Sequence, residues 1–210
     1  MITKIILERH GQSIGNRDKI YLGHTDLGLS EKGAIQAELT AEHLASMPIT
    51  AIYSSDLKRA MSTAEPHAKL RGLTVNSSRE LREMYVGDWE GKRTPDLIRD
   101  YPEDFVVRRT HRDFVYPGGE AVTDAAKRLN DEICRIAREN KGGTVLIVSH
   151  SAAIRAFWYY LSGCTEQNMT DKVPFMPNAA YCTLTFDGEK LIPEKYFYAE
   201  HLSDIYTDTV

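Results

Sequence analysis

The chain reads as an α/β fold. It is expected to be a three-layer sandwich with a mostly parallel central sheet flanked by helices and a small helical insertion over the sheet's carboxyl edge. Two observations predict it. Apolar runs of strand length alternate with stretches of helical period, the pattern of parallel strands covered on both faces. The alternation lapses between residues 84 and 119, where Pro95, Pro102, Pro117 and Gly118-Gly119 punctuate a charged segment with only short helical stretches. Residues 1–210 are assigned to one domain, a length that a single core can serve.

The elements follow in order. Residues 5–7 form a short apolar strand that breaks off toward Arg9, His10 and Gly11. Ser30 caps a helix to about Met47, which Pro48 ends. Residues 49–53 are a second strand leading through Ser54-Ser55-Asp56, and Asp56 caps a helix to about Arg71 that Gly72 closes. Residues 73–75 are a weak third strand. Val122, Ala125, Ala126, Leu129, Ile133, Ile136 and Ala137 keep helical spacing up to the turn at Asn140. Residues 144–148 are the clearest strand, β-branched and apolar, stopping at Ser149-His150. A last helix runs from Ser151 to Tyr160 and closes at Gly163. Residues 181–186 and 191–198, joined by Asp187-Gly188, read as a hairpin.

Composition narrows the function classes. Apolar residues at 42% and charged residues at 27% are ordinary for a soluble globular chain. A net charge of -4 offers no attraction to nucleic acid or to an anionic membrane, and neither is expected as a partner. No window reaches the ~18 uninterrupted apolar residues of a membrane span. The N-terminal residues enter a strand pattern without a signal peptide's basic and apolar regions. Cys134, Cys164 and Cys182 are too few and too scattered for a disulfide framework or a zinc site, which fits a reducing compartment; the expected location is cytoplasmic. His24, His43, His67, His111 and His201 lack ligand spacing and are assigned to helix surfaces or loops, so no metal is expected.

In open α/β sheets ligands sit at the carboxyl ends of the strands. Two strands here end in histidine, at Arg9-His10 and Ser149-His150. The second strand leads into a helix whose first turn carries Arg59, and Glu83 follows the third strand. Two arginines and two histidines converging on one edge, with one carboxylate, suit a doubly charged anion, since guanidinium forks match phosphate oxygens.

Arg9-His10-Gly11, Ser55-Asp-Leu-Lys-Arg59-Ala with Thr63-Ala-Glu65, Leu81-Arg-Glu83 with Gly87-Asp-Trp-Glu-Gly91, and Val148-Ser-His150 occur in that order. Together they resemble the histidine phosphatase superfamily, the phosphoglycerate-mutase-like family, over nearly the whole chain. The resemblance implies that His10 is the nucleophile taking the phosphoryl group, and a neutral imidazole is competent for that near pH 7. It implies that Arg9, Arg59 and His150 hold the phosphoryl oxygens, with Asn16 as a further oxygen ligand. Glu83 matches the proton donor to the leaving oxygen, which later activates water; Glu80 and Asp88 are neighbouring acids that could be confused with it. Gln12, Ser13, Gly23 and Ser151 match the outer pocket. Ser151 departs from the glycine that many relatives carry there.

Within the family the signals are mixed. Gln12-Ser13 and Arg108-Arg109 are similar to the cofactor-dependent phosphoglycerate mutases, which hold a substrate carboxylate with an arginine pair and use 2,3-bisphosphoglycerate as primer. The shorter insertion between Glu83 and Gly119, the turn Pro117-Gly-Gly-Glu120, and Ser151-Ala152 in place of Gly-Asn are similar to the phosphatase branch. The favoured reading is a metal-independent phosphomonoesterase without a cofactor, acting through phosphohistidine on a small phosphorylated metabolite. The alternative is a mutase interconverting 2- and 3-phosphoglycerate. Arg108, Arg109 and Arg112 either grip an anionic substrate or form a solvated basic stretch. A binding protein that has lost its chemistry would lack a nucleophile, acid or arginine, and none is lacking. A homodimer through the terminal hairpin or a sheet edge stays open.

Overall fold

The computed structural model describes residues 1–163 and 173–205. Six strands, β1 (Thr3–Arg9), β2 (Ala51–Ser55), β3 (Val75–Ser78), β4 (Thr144–Ser149), β5 (Tyr181–Phe186) and β6 (Leu191–Tyr198), form one sheet in the order β3-β2-β4-β1-β5-β6. β1 to β4 are mutually parallel, and β5 and β6 close one side as an antiparallel hairpin. The helices are α1 (Ile14–Asp18), α2 (Glu31–His43), α3 (Lys58–Arg71), α4 (Thr94–Asp100), α5 (Pro102–Thr110), α6 (Val122–Glu139) and α7 (Ser151–Leu161).

Strand alternation builds the three layers. Ile5 and Leu7 of β1, with Val145 and Ile147 of β4, pack against α6 and α7. Ile6, Leu146 and Val148 point the other way, into a core with Ala60, Ala64 and Ala68 of α3. β1 and β4 are covered on both faces, which is why they read as continuous apolar runs. The insertion carries α4 and α5, and its buried Trp89, Leu97 and Phe114 tie it to the α6–α7 side. Among the described residues no helix is long and apolar enough to cross a membrane. Cys134 and Cys182 are free and buried; Cys164 lies outside the described residues.

Some local expectations need correcting. Asp56 does not cap α3. Its carboxylate accepts two hydrogen bonds of 2.6 Å from Arg82, and the Lys58 N–H donates instead to Asp26, 32 residues earlier. α2 stops at His43, four residues before Met47, and the freed Leu44 carbonyl accepts from Arg71. β2 and β3 sit about two residues later than their apolar runs suggest. Pairing of Ser54 and Ser55 with Ser77 and Ser78 extends them at the polar edge of the sheet. His67 is not on a surface: it is fully buried on α3, with Nε2 2.9 Å from Oε2 of the equally buried Glu8. Burial lifts the Glu8 carboxyl above its ordinary value, against the pull of His67 and Arg71.

This pair generates a stability prediction. His67→Leu leaves a buried carboxyl without its partner and lowers unfolding free energy by about 3–5 kcal/mol, whereas Glu8→Leu/His67→Leu together recover most of the loss. Urea unfolding of the three variants decides it; a double variant as unstable as the single one contradicts the pairing.

Candidate active site

The register of β1 against β4 places Arg9 opposite Ser149, so each strand delivers its next residue, His10 or His150, to the same point on the carboxyl edge. The His10 N–H donates to the Ser149 carbonyl at 3.0 Å, and the two imidazole rings lie 5.0 Å apart, edge to face. His10 Nδ1 is 2.7 Å from the Gly11 carbonyl. A carbonyl can only accept, so Nδ1 carries the proton and the lone pair of a neutral ring sits on Nε2. His150 is set the opposite way. Its Nδ1 accepts from Arg59 Nε at 3.2 Å, which leaves the proton on Nε2, buried and without a partner among the described residues. Burial holds both imidazoles well below their ordinary value, and Arg59, with Arg9 beside it, adds to the effect.

Gly11 is required at the turn after β1, since a Cβ there would lie 2.4 Å from the Gly33 carbonyl. Its N–H donates to Thr63 Oγ1, and Thr63 Oγ1 donates to the Arg59 carbonyl one turn earlier on α3. The turn behind His10 and the helix carrying Arg59 are therefore joined. Arg59 is 1% exposed, and its other guanidinium nitrogens donate to the carbonyls of Thr25 and Gly23 at 3.0 and 2.8 Å. Arg9 donates to the Met176 carbonyl, its Nε has no partner among the described residues, and burial pulls its guanidinium down to about 10. Glu83 lines the same cavity as Arg9, His10 and Arg59. Its Oε1 accepts from the Met84 and Ala153 N–H groups at 3.0 and 2.8 Å, and Oε2 from Ala152 at 3.1 Å, so the start of α7 holds the carboxylate.

One cavity brings together Arg9, His10, Ser13, Asn16, Arg59, Glu83, Ser151, Arg108 and Arg109. His150 lies just behind it, against His10 and Arg59. Asn16 Oδ1 is occupied by the Ser13 N–H and hydroxyl and by Asn178, which leaves its amide NH2 without a partner among the described residues. Ser151 Oγ is buried at the cavity wall, without a partner among the described residues. Gln12 and Gly23 do not line the cavity. The Gln12 side chain accepts from Ser30 at 2.8 Å and so faces the cap of α2, and Gly23 reaches the site only through its carbonyl on Arg59. Glu80 and Asp88 stand off the cavity, which singles out Glu83 among the three acids. Arg112 is also outside, beside Asp113.

The structure adds residues without a local sequence signal. Tyr21 and Tyr116 join hydroxyls at 3.1 Å, and Arg108 Nε donates to Tyr21 at 2.9 Å while its guanidinium lies 3.4 Å from the Phe105 ring centre. Phe175 takes Arg109 on its ring at 5.2 Å and Arg155 at 4.5 Å. Asn178 donates to the His10 carbonyl and to Asn16. Lys19 completes the cationic mouth. Phe175 and Asn178 come from the irregular residues 173–180 just ahead of β5, and only the fold brings them here.

A family model described as histidine phosphatase superfamily (branch 1) matches residues 5–197. Phosphoserine phosphatase 1 of Hydrogenobacter thermophilus is 30% identical over 99% of this chain and 98% of its own length. The metal-independent phosphoserine phosphatase of Arabidopsis thaliana is 31% identical over 97% of this chain and 85% of its own. The solved structure of a mycobacterial glucosyl-3-phosphoglycerate phosphatase superposes with a TM-score of 0.84 at 28% identity, covering 93% of this chain and 98% of that one.

The depressed His10 value has a direct consequence. A base whose protonation midpoint is lowered keeps its lone pair as pH falls through 6.5 and loses it only further down. The His10 ring resonances are expected to stay at neutral-imidazole positions through pH 6.5; a midpoint at or above that value contradicts the burial argument.

Proposed function

The chain belongs to branch 1 of the histidine phosphatase superfamily, and from that premise we propose that it is a phosphomonoesterase acting on a small metabolite with a second anionic group. It works through phosphohistidine at His10 and without a metal. The observation that carries this reading is the tautomer of His10, with Nδ1–H tied to Gly11 and Nε2 open beside Arg9 and Arg59.

In the proposed reaction His10 Nε2 attacks phosphorus in line with the ester oxygen. The N–P bond forms, the P–O bond breaks, and a protonated Glu83 gives its proton to the leaving oxygen. Arg9, Arg59, Asn16 and the His150 Nε2–H hold the three remaining oxygens as charge spreads over them. Glu83, now a carboxylate, takes a proton from water as the water attacks the phosphohistidine. Free phosphate leaves and His10 returns with its lone pair.

Arg108 supports the second anionic group. Stacking on Phe105 and the bond to Tyr21 fix its guanidinium before substrate arrives, which lowers the ordering cost of binding. The relatives named above act, by their names, on phosphoserine and glucosyl-3-phosphoglycerate, both phosphomonoesters that carry a carboxylate. The names of those relatives also favour hydrolysis over mutase chemistry, and the second of them supports catalysis without a metal.

Two measurements test the reading. Incubated with 3-phosphoglycerate or phosphoserine, the protein is expected to release inorganic phosphate; interconversion of 2- and 3-phosphoglycerate with little free phosphate, primed by 2,3-bisphosphoglycerate, establishes the mutase instead. Arg108→Ala is expected to raise KM for a carboxylate-bearing phosphomonoester by about tenfold or more, with little change for phenyl phosphate. Equal effects on both substrates refute the anion-gripping role.

A further inference from the structure

Glu90 lies outside the active-site cavity, on the insertion, yet it is the acceptor for a whole loop. Its Oε1 accepts from the His24 N–H at 2.7 Å and the Val86 N–H at 3.4 Å. Its Oε2 accepts from the N–H groups of Gly23 and Thr25 at 3.3 and 2.9 Å, and from the Thr25 hydroxyl. One carboxylate thus collects three successive backbone N–H groups, a demand that a neutral side chain cannot meet. Burial would raise its protonation midpoint, but the bonds from Thr25, His24 and Val86 together bring it below the ordinary carboxylate range.

The same loop turns its carbonyls the other way. Gly23 and Thr25 accept the two terminal nitrogens of Arg59, whose Nε donates to His150. Glu90 on one side and Arg59 on the other therefore share the loop between them, N–H groups to the carboxylate and carbonyls to the guanidinium. A Cβ at residue 23 would lie 2.3 Å from Glu90 Oε1 and 2.5 Å from the Met84 carbonyl, so glycine is what lets the carboxylate come this close. Arg59 has no carboxylate partner of its own among the described residues; the His150 ring and the carbonyls of Thr25 and Gly23 hold it, and the position of those carbonyls depends on Glu90.

We propose that Glu90 is a positioning residue for phosphoryl transfer, fixing the Gly23–Thr25 loop so that its carbonyls aim Arg59, and through Arg59 the tautomer of His150, at the phosphoryl oxygens. The proposal rests on the phosphatase reading. It also gives Gly23 its place: a hinge between two charges, with no contact to the substrate.

The test is a double-mutant cycle with two readouts, turnover and the affinity of the phosphoryl-like probe vanadate. Glu90→Gln keeps the shape but turns an NH2 toward backbone N–H donors. It is expected to lower kcat by about 10- to 100-fold with KM changed far less, and to weaken vanadate by a similar factor. In an Arg59→Ala background the same substitution is expected to cost less than about threefold in either readout, because Glu90 acts through Arg59. Equal costs in both backgrounds, or a Glu90→Gln enzyme with wild-type kcat, overturn the proposal. Should Glu90→Gln fail to fold, Thr25→Val removes the hydroxyl contact alone, and its smaller loss must also vanish when Arg59 is absent. A wild-type chain that hydrolyses no phosphomonoester counts against the phosphatase reading; the vanadate cycle still decides the role of Glu90.

Discussion

Parallel pairing of β1 with β4, in the register that sets Arg9 beside Ser149, is what the site depends on. A shift of one residue would turn the apolar sets Ile5/Leu7 and Val145/Ile147 to the wrong faces, so the two cores that cover the sheet also fix the register. The edge then receives two imidazoles 5.0 Å apart, edge to face. Their tautomers are set separately, one by the Gly11 carbonyl and the other by Arg59. One ring is left with an open lone pair and the other with an open N–H.

The second constraint is burial of charge. Arg59, Arg9, His10, His150 and Glu83 are each less than one-tenth exposed. Five such groups can share a dry site because the arginines face backbone carbonyls, Glu83 faces backbone N–H groups, and the histidines stay neutral. The set remains incomplete by itself. Arg9 Nε, His150 Nε2 and Ser151 Oγ are buried without partners among the described residues. Unmade hydrogen bonds of this kind are costly, and a bound anion would make them, which is how a preorganised site stores its preference for developing negative charge.

Much of this was legible in the sequence, for physical reasons. A strand buried on both faces must be an unbroken apolar run, so β1 and β4 announced themselves, and the residues that ended them had to lie at the edge. Gly72 closing α3 in a left-handed turn, with φ of 65°, was equally local. What failed was non-local. Asp56 looked like a cap by position, but Arg82 claims it and Asp26 does the capping from another loop. His67 looked like a surface histidine because nothing near it in sequence announces Glu8. Gln12 has the composition of a pocket residue, yet the start of α2 competes for its side chain. Glu90 lay inside a recognised motif whose role only three-dimensional contacts could give. Phe175 and Asn178 follow α7 in a stretch without periodicity.

The central claim is that the Gly11 carbonyl assigns the nucleophilic lone pair to His10 Nε2. Trapping the enzyme during turnover of a phosphomonoester and recording the phosphorus–nitrogen couplings of the labelled imidazole tests it most directly. The account predicts phosphoryl bonded to Nε2 of His10 and none after His10→Ala. Phosphoryl on Nδ1, on another histidine, or on no residue at all would contradict it.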